Sequence, residues 1–419
     1  MVSVPLRRDP EAGRRTVGIV LYVLGMVVGG LLLVLLMFFP ALFSKNPDVE
    51  LYSMFVGAMF ALPMLLVYLW VPWIIDRYDP EPLWALLLVL AWGAIAGCGF
   101  AGLINSVVEA FASAAFGKDL GELVGACFSA PFVEEFMKGF GVFFIFYFWR
   151  REFDGVVDGV IYATFAALGF AAVENILYYG QAAKEAITTS AGEDAFYGTF
   201  IVRGILAPWG HPLYTSMTGL GFGISRETNK TWLKWLAPLG GYLFAAFLHF
   251  TWNFAASVSG LLVAIMLPLW FLFVIGFAVL VIYLVKRKGK IIRDHLRDEV
   301  LMGNLTPWEL ELVTSMFASL KATFRYGGKA GREFVHAAAR LALSKWHTGR
   351  ATQGRKLTIS ADMILPLRQE LFRLRGEVAR ALGRPVQQPA PWNPGAQQPY
   401  PQQNPATQYA QPNPGAWRR

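Results

Sequence analysis

The chain has 419 residues, of which 55% are apolar and only 16% charged, and it carries a formal net charge of +8. A soluble domain carries about 25% charged residues, so this composition, with 33 Phe and 14 Trp, excludes an ordinary water-soluble enzyme and points to lipid as the solvent. Both cysteines, Cys98 and Cys127, sit inside apolar runs, which excludes a disulfide framework.

A helix that crosses hydrocarbon needs about 20 apolar residues. In chain order, eight stretches reach that length: residues 17–43, 51–75, 83–108, 123–149, 156–179, 200–224, 235–258 and 261–285. An unpaired backbone cannot cross a bilayer, and runs this continuous are unlike the alternating strands of a barrel. The fold class expected is all-α, a polytopic transmembrane bundle of about eight spans. The first stretch is far longer than the apolar core of a signal peptide and lacks a small-residue cleavage site after it, so it is expected to remain as a span.

Basic residues fall on alternate loops. Arg7, Arg8, Arg14 and Arg15 precede the first span; Arg77 follows the second, Arg150 and Arg151 the fourth, Arg226, Lys230 and Lys234 the sixth, and Lys286, Arg287, Lys288 and Lys290 the eighth. The other loops hold Lys45, Lys118 and Lys184, with Arg203 at a helix edge. This alternation predicts that both termini are cytoplasmic. It also accounts for the positive charge without a nucleic-acid partner.

Four regions follow: a basic arm (1–16), the membrane domain (17–285), a cytoplasmic helical region (286–383) and a tail (384–419). In the third, Thr306-Pro307-Trp308-Glu309 reads as a capping box with Pro at the first helical position. Leu310, Val313, Phe317 and Leu320 then recur at helical spacing, as do residues in 334–343 and 364–382. A solvated bundle and a basic surface against anionic lipid are both readings of this part. The tail is rich in Pro, Gln and Asn with almost no aliphatic residues, so it is expected to be disordered.

Charged groups at bilayer depth cost at least about 2.5–3.5 kcal/mol each. They are kept where they pair, line a cavity or act. The fourth span carries Glu134, Glu135 and Lys138, with Glu134 and Lys138 one turn apart on one face. The fifth carries Glu174 and Asn175, the sixth His211, and the seventh His249 with Asn253 one turn on. At 1.5 Å per residue, these positions lie between the midplane and the outer leaflet. Asp158, near the cytoplasmic edge, reads as interfacial, and Arg203 as a snorkelling residue at the outer boundary.

Two carboxylates and two imidazoles suit hydrolysis. A buried Glu can take a proton from water, a His can share that role or polarise a carbonyl, and an Asn amide can donate to an oxyanion. On this reading Glu134 is the base, Glu135 and Lys138 orient it, and His249 assists. His211 and Asn253 are the oxyanion candidates, and Glu174 is a second acid or base. Alternatively Glu134, Glu174, His211 and His249 could hold a divalent, zinc-like metal; no other cofactor is implied. Rival readings are a transporter or proton pathway, though no inverted repeat is evident, and a non-catalytic scaffold.

The ordered set Glu134-Glu135-x-x-Lys138, Phe170-x-x-x-Glu174-Asn175, His211 and His249-x-x-x-Asn253 resembles the PrsW family of bacterial intramembrane proteases, relatives of the CAAX prenyl endopeptidases. The loop Asp76-Arg77-Tyr78-Asp79-Pro80-Glu81-Pro82 is similar too, and the resemblance covers roughly residues 50–285. It implies a multi-pass protein of the bacterial plasma membrane that cleaves a membrane-anchored protein substrate, an anti-sigma factor being the familiar type. It also implies a metalloprotease label, although relatives work with a glutamate-activated water alone. Oligomeric state is left open.

Overall fold

The computed structural model describes residues 12–189, 192–315, 317–353 and 359–383. The basic arm up to residue 11 and the tail from residue 384 lie outside the described residues, and so does the expectation of disorder in that tail. The described residues form an all-α polytopic membrane bundle without a strand.

Each of the eight predicted spans is helical. They are α1 (Ala12–Phe43); α2 and α3 (Pro47–Tyr68, Trp70–Ile75); α4 and α5 (Leu83–Ala91, Cys98–Phe116); α6 and α7 (Lys118–Val124, Ala130–Phe148); α8 (Val156–Thr188); α9 and α10 (Gly192–Phe200, Gly210–Glu227); α11 (Thr231–Val258); and α12 (Gly260–Leu301). Five of these segments are long and apolar enough to cross a membrane by length and composition: α1, α2–α3, α4–α5, α8 and α12. The other three, α6–α7, α9–α10 and α11, contain Glu134, Glu135, Lys138, Arg203, His211 and His249. These three are not among the five, and α9–α10 is also interrupted at residues 207–209.

Helix α8 is the axis of the bundle. It is buried from Val156 to Ala172 and packs against α2 and α10. Small residues allow this closeness. A Cβ on Gly159 or on Gly219 would fall 2.1 Å from the other's carbonyl oxygen, so α8 and α10 touch backbone to backbone there. By contrast, α1 and α12 leave most of their apolar side chains exposed, as lipid-facing helices do.

The loops sort into two ends. At one, Lys184 on α8 bonds Glu50 on α2 at 2.5 Å. At the other, Arg226 Nε donates to the Phe153 carbonyl at 2.8 Å, and Asn229 Nδ2 donates to the Arg350 carbonyl at 3.1 Å. The basic loops predicted to be cytoplasmic are thus gathered at a single end.

Helix α12 runs without a break through residue 286 into the region beyond the membrane domain, which adds α13 (Pro307–Val313), α14 (Ala318–Arg325), α15 (Lys329–Gln353) and α16 (Ile359–Ala381). The capping box forms as expected: Thr306 Oγ1 accepts from Glu309 N at 3.2 Å and Glu309 Oε2 from Thr306 N at 2.6 Å. The single helix expected from Leu310 to Leu320 does not form. It ends at Val313, and Phe317 takes a left-handed φ of 66° before α14 begins.

Asp158, at the edge of its span, is covered by protein. It is buried, accepts from the backbone N–H groups of Asp154 and Gly155, and receives the Lys288 ammonium at 2.8 Å. One hydrophobic core then continues from α8 and α4 into α13, α15 and α16.

Candidate active site

Four helices bring their polar groups to one place. Helix α7 supplies Glu134, Glu135 and Lys138; α8 supplies Glu174; α10 supplies His211; α11 supplies His249. Two of these helices are preceded by wide π-helical turns. Residues Gly125–Ser129 form one before α7, and Ile201–Leu206 form another shortly before α10. Such turns recur at functional sites because they re-aim a helix. Pro212 sits in the first turn of α10, where a missing N–H is tolerated. It starts the helix rather than kinking it, and His211 is presented at that start.

Lys138 is the hub. Its side chain is fully buried, and its Nζ lies 2.8 Å from Glu135 Oε1, 3.4 Å from Glu134 Oε2 and 2.8 Å from His211 Nδ1. The ammonium also stands 4.3 Å from the centre of the Phe170 ring. A buried cation without such partners would cost several kcal/mol.

The two adjacent glutamates differ. Glu135 accepts from Lys138, from Thr215 Oγ1 at 2.7 Å and from His249 Nδ1 at 3.1 Å. Glu134 has only longer contacts: Lys138 at 3.4 Å, Asn105 Nδ2 at 3.5 Å and His249 Nε2 at 4.0 Å. Glu135 is fixed on both oxygens, and Glu134 keeps capacity for a further partner.

The imidazole tautomers follow from their neighbours. An ionised carboxylate only accepts. Glu174 Oε2 lies 2.8 Å from His211 Nε2, so Nε2 carries the proton and Nδ1 faces Lys138 as a bare acceptor. Glu135 likewise requires the proton of His249 on Nδ1, which leaves Nε2 bare and directed toward Glu134. The two rings meet edge to face with centroids 5.0 Å apart.

One atom each from Glu134, His211 and His249 lies within 4.8 Å of the others. One carboxylate and two imidazoles make a known catalytic zinc donor set, and each His hands its other nitrogen to a carboxylate, as metal-bound imidazoles do. These residues fit a divalent metal, provided Lys138 releases His211 Nδ1. Glu174, a further ligand candidate from the sequence, stands behind His211 instead of beside the three.

Two sequence expectations change here. Asn253 is one turn from His249, but its amide donates to the Ala126 carbonyl at 2.8 Å. That N–H ties down the π turn before α7. Arg203 is no snorkelling residue. It bonds Glu174 at 2.5 Å and Asn175 at 2.9 Å.

Asn105 and Thr215 were missed as well. Asn105 is held by Ser129, whose Oγ donates to its Oδ1 at 2.8 Å. A lone amide in the third apolar span, and a Thr one turn after His211, were the signals available.

A buried Glu/His centre within a membrane bundle defines a class, and the family model described as "PrsW family intramembrane metalloprotease" matches residues 81–284. The matched segment is just under half of the chain. Its curated relatives include three named "Protease PrsW". Over 168 residues it is 29% identical to the one from Geobacillus kaustophilus, covering 39% of this chain and 66% of the relative. Over 196 residues it is 29% identical to that of Oceanobacillus iheyensis, covering 45% and 80%. Over 141 residues it is 30% identical to that of Bacillus subtilis, covering 33% and 57%. The chain thus spans just under two thirds of the first of these relatives. No solved structure matches the chain.

Proposed function

We propose that the chain is an intramembrane endopeptidase that hydrolyses a peptide bond of a membrane-anchored, anti-sigma-factor-like protein, with Glu134 as the general base. The observation that carries the choice of base is the contrast between the adjacent carboxylates. Glu135 is saturated by Lys138, Thr215 and His249, whereas Glu134 is held only by contacts of 3.4 Å and longer.

A water between Glu134 and the bare Nε2 of His249 gives its proton to Glu134 while its oxygen bonds to the scissile carbonyl carbon. Asn105, fixed by Ser129, and the Lys138 ammonium stabilise the negative oxygen that forms. The C–N bond then breaks, and the proton on Glu134 passes to the departing nitrogen. Glu135 holds Lys138 and His249 in place, and Asn253 fixes the turn that aims α7. A divalent metal held by Glu134, His211 and His249 would supply Lewis acidity to the same water and carbonyl. With both termini in the cytoplasm, as the alternation of basic loops predicts, the centre lies toward the outer leaflet.

The test is a purified protein in proteoliposomes with a single-span substrate, the products being mapped by mass spectrometry. A cut inside the membrane segment, absent with Glu134→Gln, supports the reading. Intact substrate with wild-type protein, together with a proton flux that needs Glu134, would replace it with the transport reading.

A further inference from the structure

Arg203 lies outside the hydrolytic set, yet it is tied to it by three contacts with α8. Its Nη2 donates to Glu174 Oε2 at 2.5 Å and its Nε to Asn175 Oδ1 at 2.9 Å. Its guanidinium lies 3.7 Å from the centre of the Tyr178 ring. Two donors of one planar fork thus reach two adjacent residues, a geometry that an ammonium cannot reproduce. The π turn that carries Arg203 is itself anchored, because the Tyr68 hydroxyl on α2 donates to the Gly204 carbonyl.

The oxygen that Arg203 holds is the one that faces His211. Glu174 Oε2 takes both the guanidinium and the His211 Nε2 proton. If the carboxylate turned away, the constraint on the ring would go with it. Neutral imidazole has two tautomers, and the partner of one nitrogen decides which nitrogen is bare. With Glu174 fixed, the bare nitrogen is Nδ1, on the side of Lys138 and Glu134.

We propose that Arg203 is a positioning residue. It clamps Glu174 so that His211 keeps its proton on Nε2 and presents Nδ1 to the centre. This rests on the hydrolytic reading for its effect on turnover, but not for its effect on the ring.

The experiment compares wild type, Arg203→Gln and Arg203→Lys in nanodiscs. Histidine-selective ¹⁵N labelling reads the ring of His211, assigned by its loss in His211→Gln. Cleavage of the single-span substrate is followed in parallel. The wild-type ring is expected as the pure Nε2–H form, and Arg203→Gln as a mixture of tautomers. Its kcat should fall about 10–100-fold, as for outer-shell partners of catalytic histidines, with KM within about threefold. Arg203→Lys keeps the charge but loses the fork, and should fall between the two in both readouts. It also serves if Arg203→Gln does not fold.

An unchanged ring spectrum in both variants would overturn the proposal. So would a loss confined to thermal stability. A shifted spectrum in a protein whose wild type cleaves nothing would retain the clamp and remove the protease reading instead.

Discussion

The Lys138 ammonium stands 2.8 Å from Nδ1 of His211, the nitrogen left bare for a metal once Nε2 donates its N–H to Glu174. Lysine and metal therefore compete for one lone pair. Replacing Lys138 by Met removes the competitor and frees two carboxylates. Zinc affinity, read by competition with a chromogenic chelator, is expected to rise at least about tenfold, equivalent to about 1.4 kcal/mol. Cleavage should fall, because the cation near the carbonyl is lost. Unchanged affinity would show that His211 Nδ1 is not a ligand.

Glu134→Gln and Glu135→Gln should fail in different ways. Gln at 134 disturbs only long contacts, and Lys138 keeps Glu135. The thermal midpoint is expected to stay within a few degrees while single-turnover cleavage falls at least about 10²–10⁴-fold. Gln at 135 replaces an oxygen that accepts a buried hydrogen bond with an amide donor, against Lys138, Thr215 or His249. It should cost about 3–5 kcal/mol of stability, the range for a broken buried pair. Equal stability with equal loss of activity in both variants would remove the distinction drawn between them.

The helices and most of the centre were legible in the sequence because lipid leaves so few alternatives. A 20-residue apolar run has to be a helix, and a charge inside it has to meet a partner. That logic found Glu134, Glu135, Lys138, Glu174, His211 and His249, which the structure gathers. It failed where the choice depends on which neighbour is nearer. Asn253 has the spacing of a site residue, yet the Ala126 carbonyl is the partner its amide takes. Arg203 has the position of a snorkelling residue, yet a π turn swings it inward onto Glu174. The protein cover over Asp158 went unread because its partner, Lys288, lies 130 residues away in sequence. Neither a π turn nor a distant ion pair has a periodicity to read.

The two groups of loops predict which end of the bundle faces the cytoplasm. Single cysteines introduced at Lys45 and at Lys230, each in a background lacking Cys98 and Cys127, should differ in intact cells. A membrane-impermeant maleimide is expected to label position 45 and to label position 230 only after lysis. The reverse pattern would invert the bundle and open the centre to the cytoplasm.

The buried pair of Lys288 and Asp158 joins α12 to the start of α8, the helix that carries Glu174. Lys288→Met leaves an unpaired buried carboxylate and should cost about 3–5 kcal/mol. Adding Asp158→Asn removes the stranded charge and is expected to restore at least about 1 kcal/mol, a coupling within the range for residues in contact. Deleting residues 384–419 should leave cleavage within about tenfold, whereas truncation at residue 286 removes Lys288 with the rest of the core it anchors. If the double variant is as unstable as the sum of the two singles, the pair carries no coupling.

The contact between the membrane domain and the helical region beyond it should also weaken as pH rises. Asp79 lies in the loop before α4, beside a cavity of about 300 Å³ that it shares with Glu81, Glu152, Asp154 and Arg340. Its carboxyl is raised to about 7, chiefly by burial and also by the carboxylates of Asp154 and Asp158, against the downward pull of Lys288 and Arg340. An unfolded aspartate titrates near about 4. Between those values the folded protein holds a proton that the unfolded chain has released. Stability therefore falls with rising pH across that window and is level above it. Below about 4 both states are protonated and the effect is absent. Asp79→Asn cannot lose a proton, so it should match wild type near pH 4 and exceed it at pH 8. Asp154, raised to about 6 by burial first and by Asp158 next, adds a slope of the same sign. The measurement is therefore the difference between variant and wild type, taken as the thermal midpoint at pH 5, 6, 7 and 8. A difference that grows with pH up to about 7 and then levels off is expected. A difference that is flat, or that shrinks as pH rises, would mean that Asp79 is ionised in the folded protein throughout, and that the cavity holds its charge without cost.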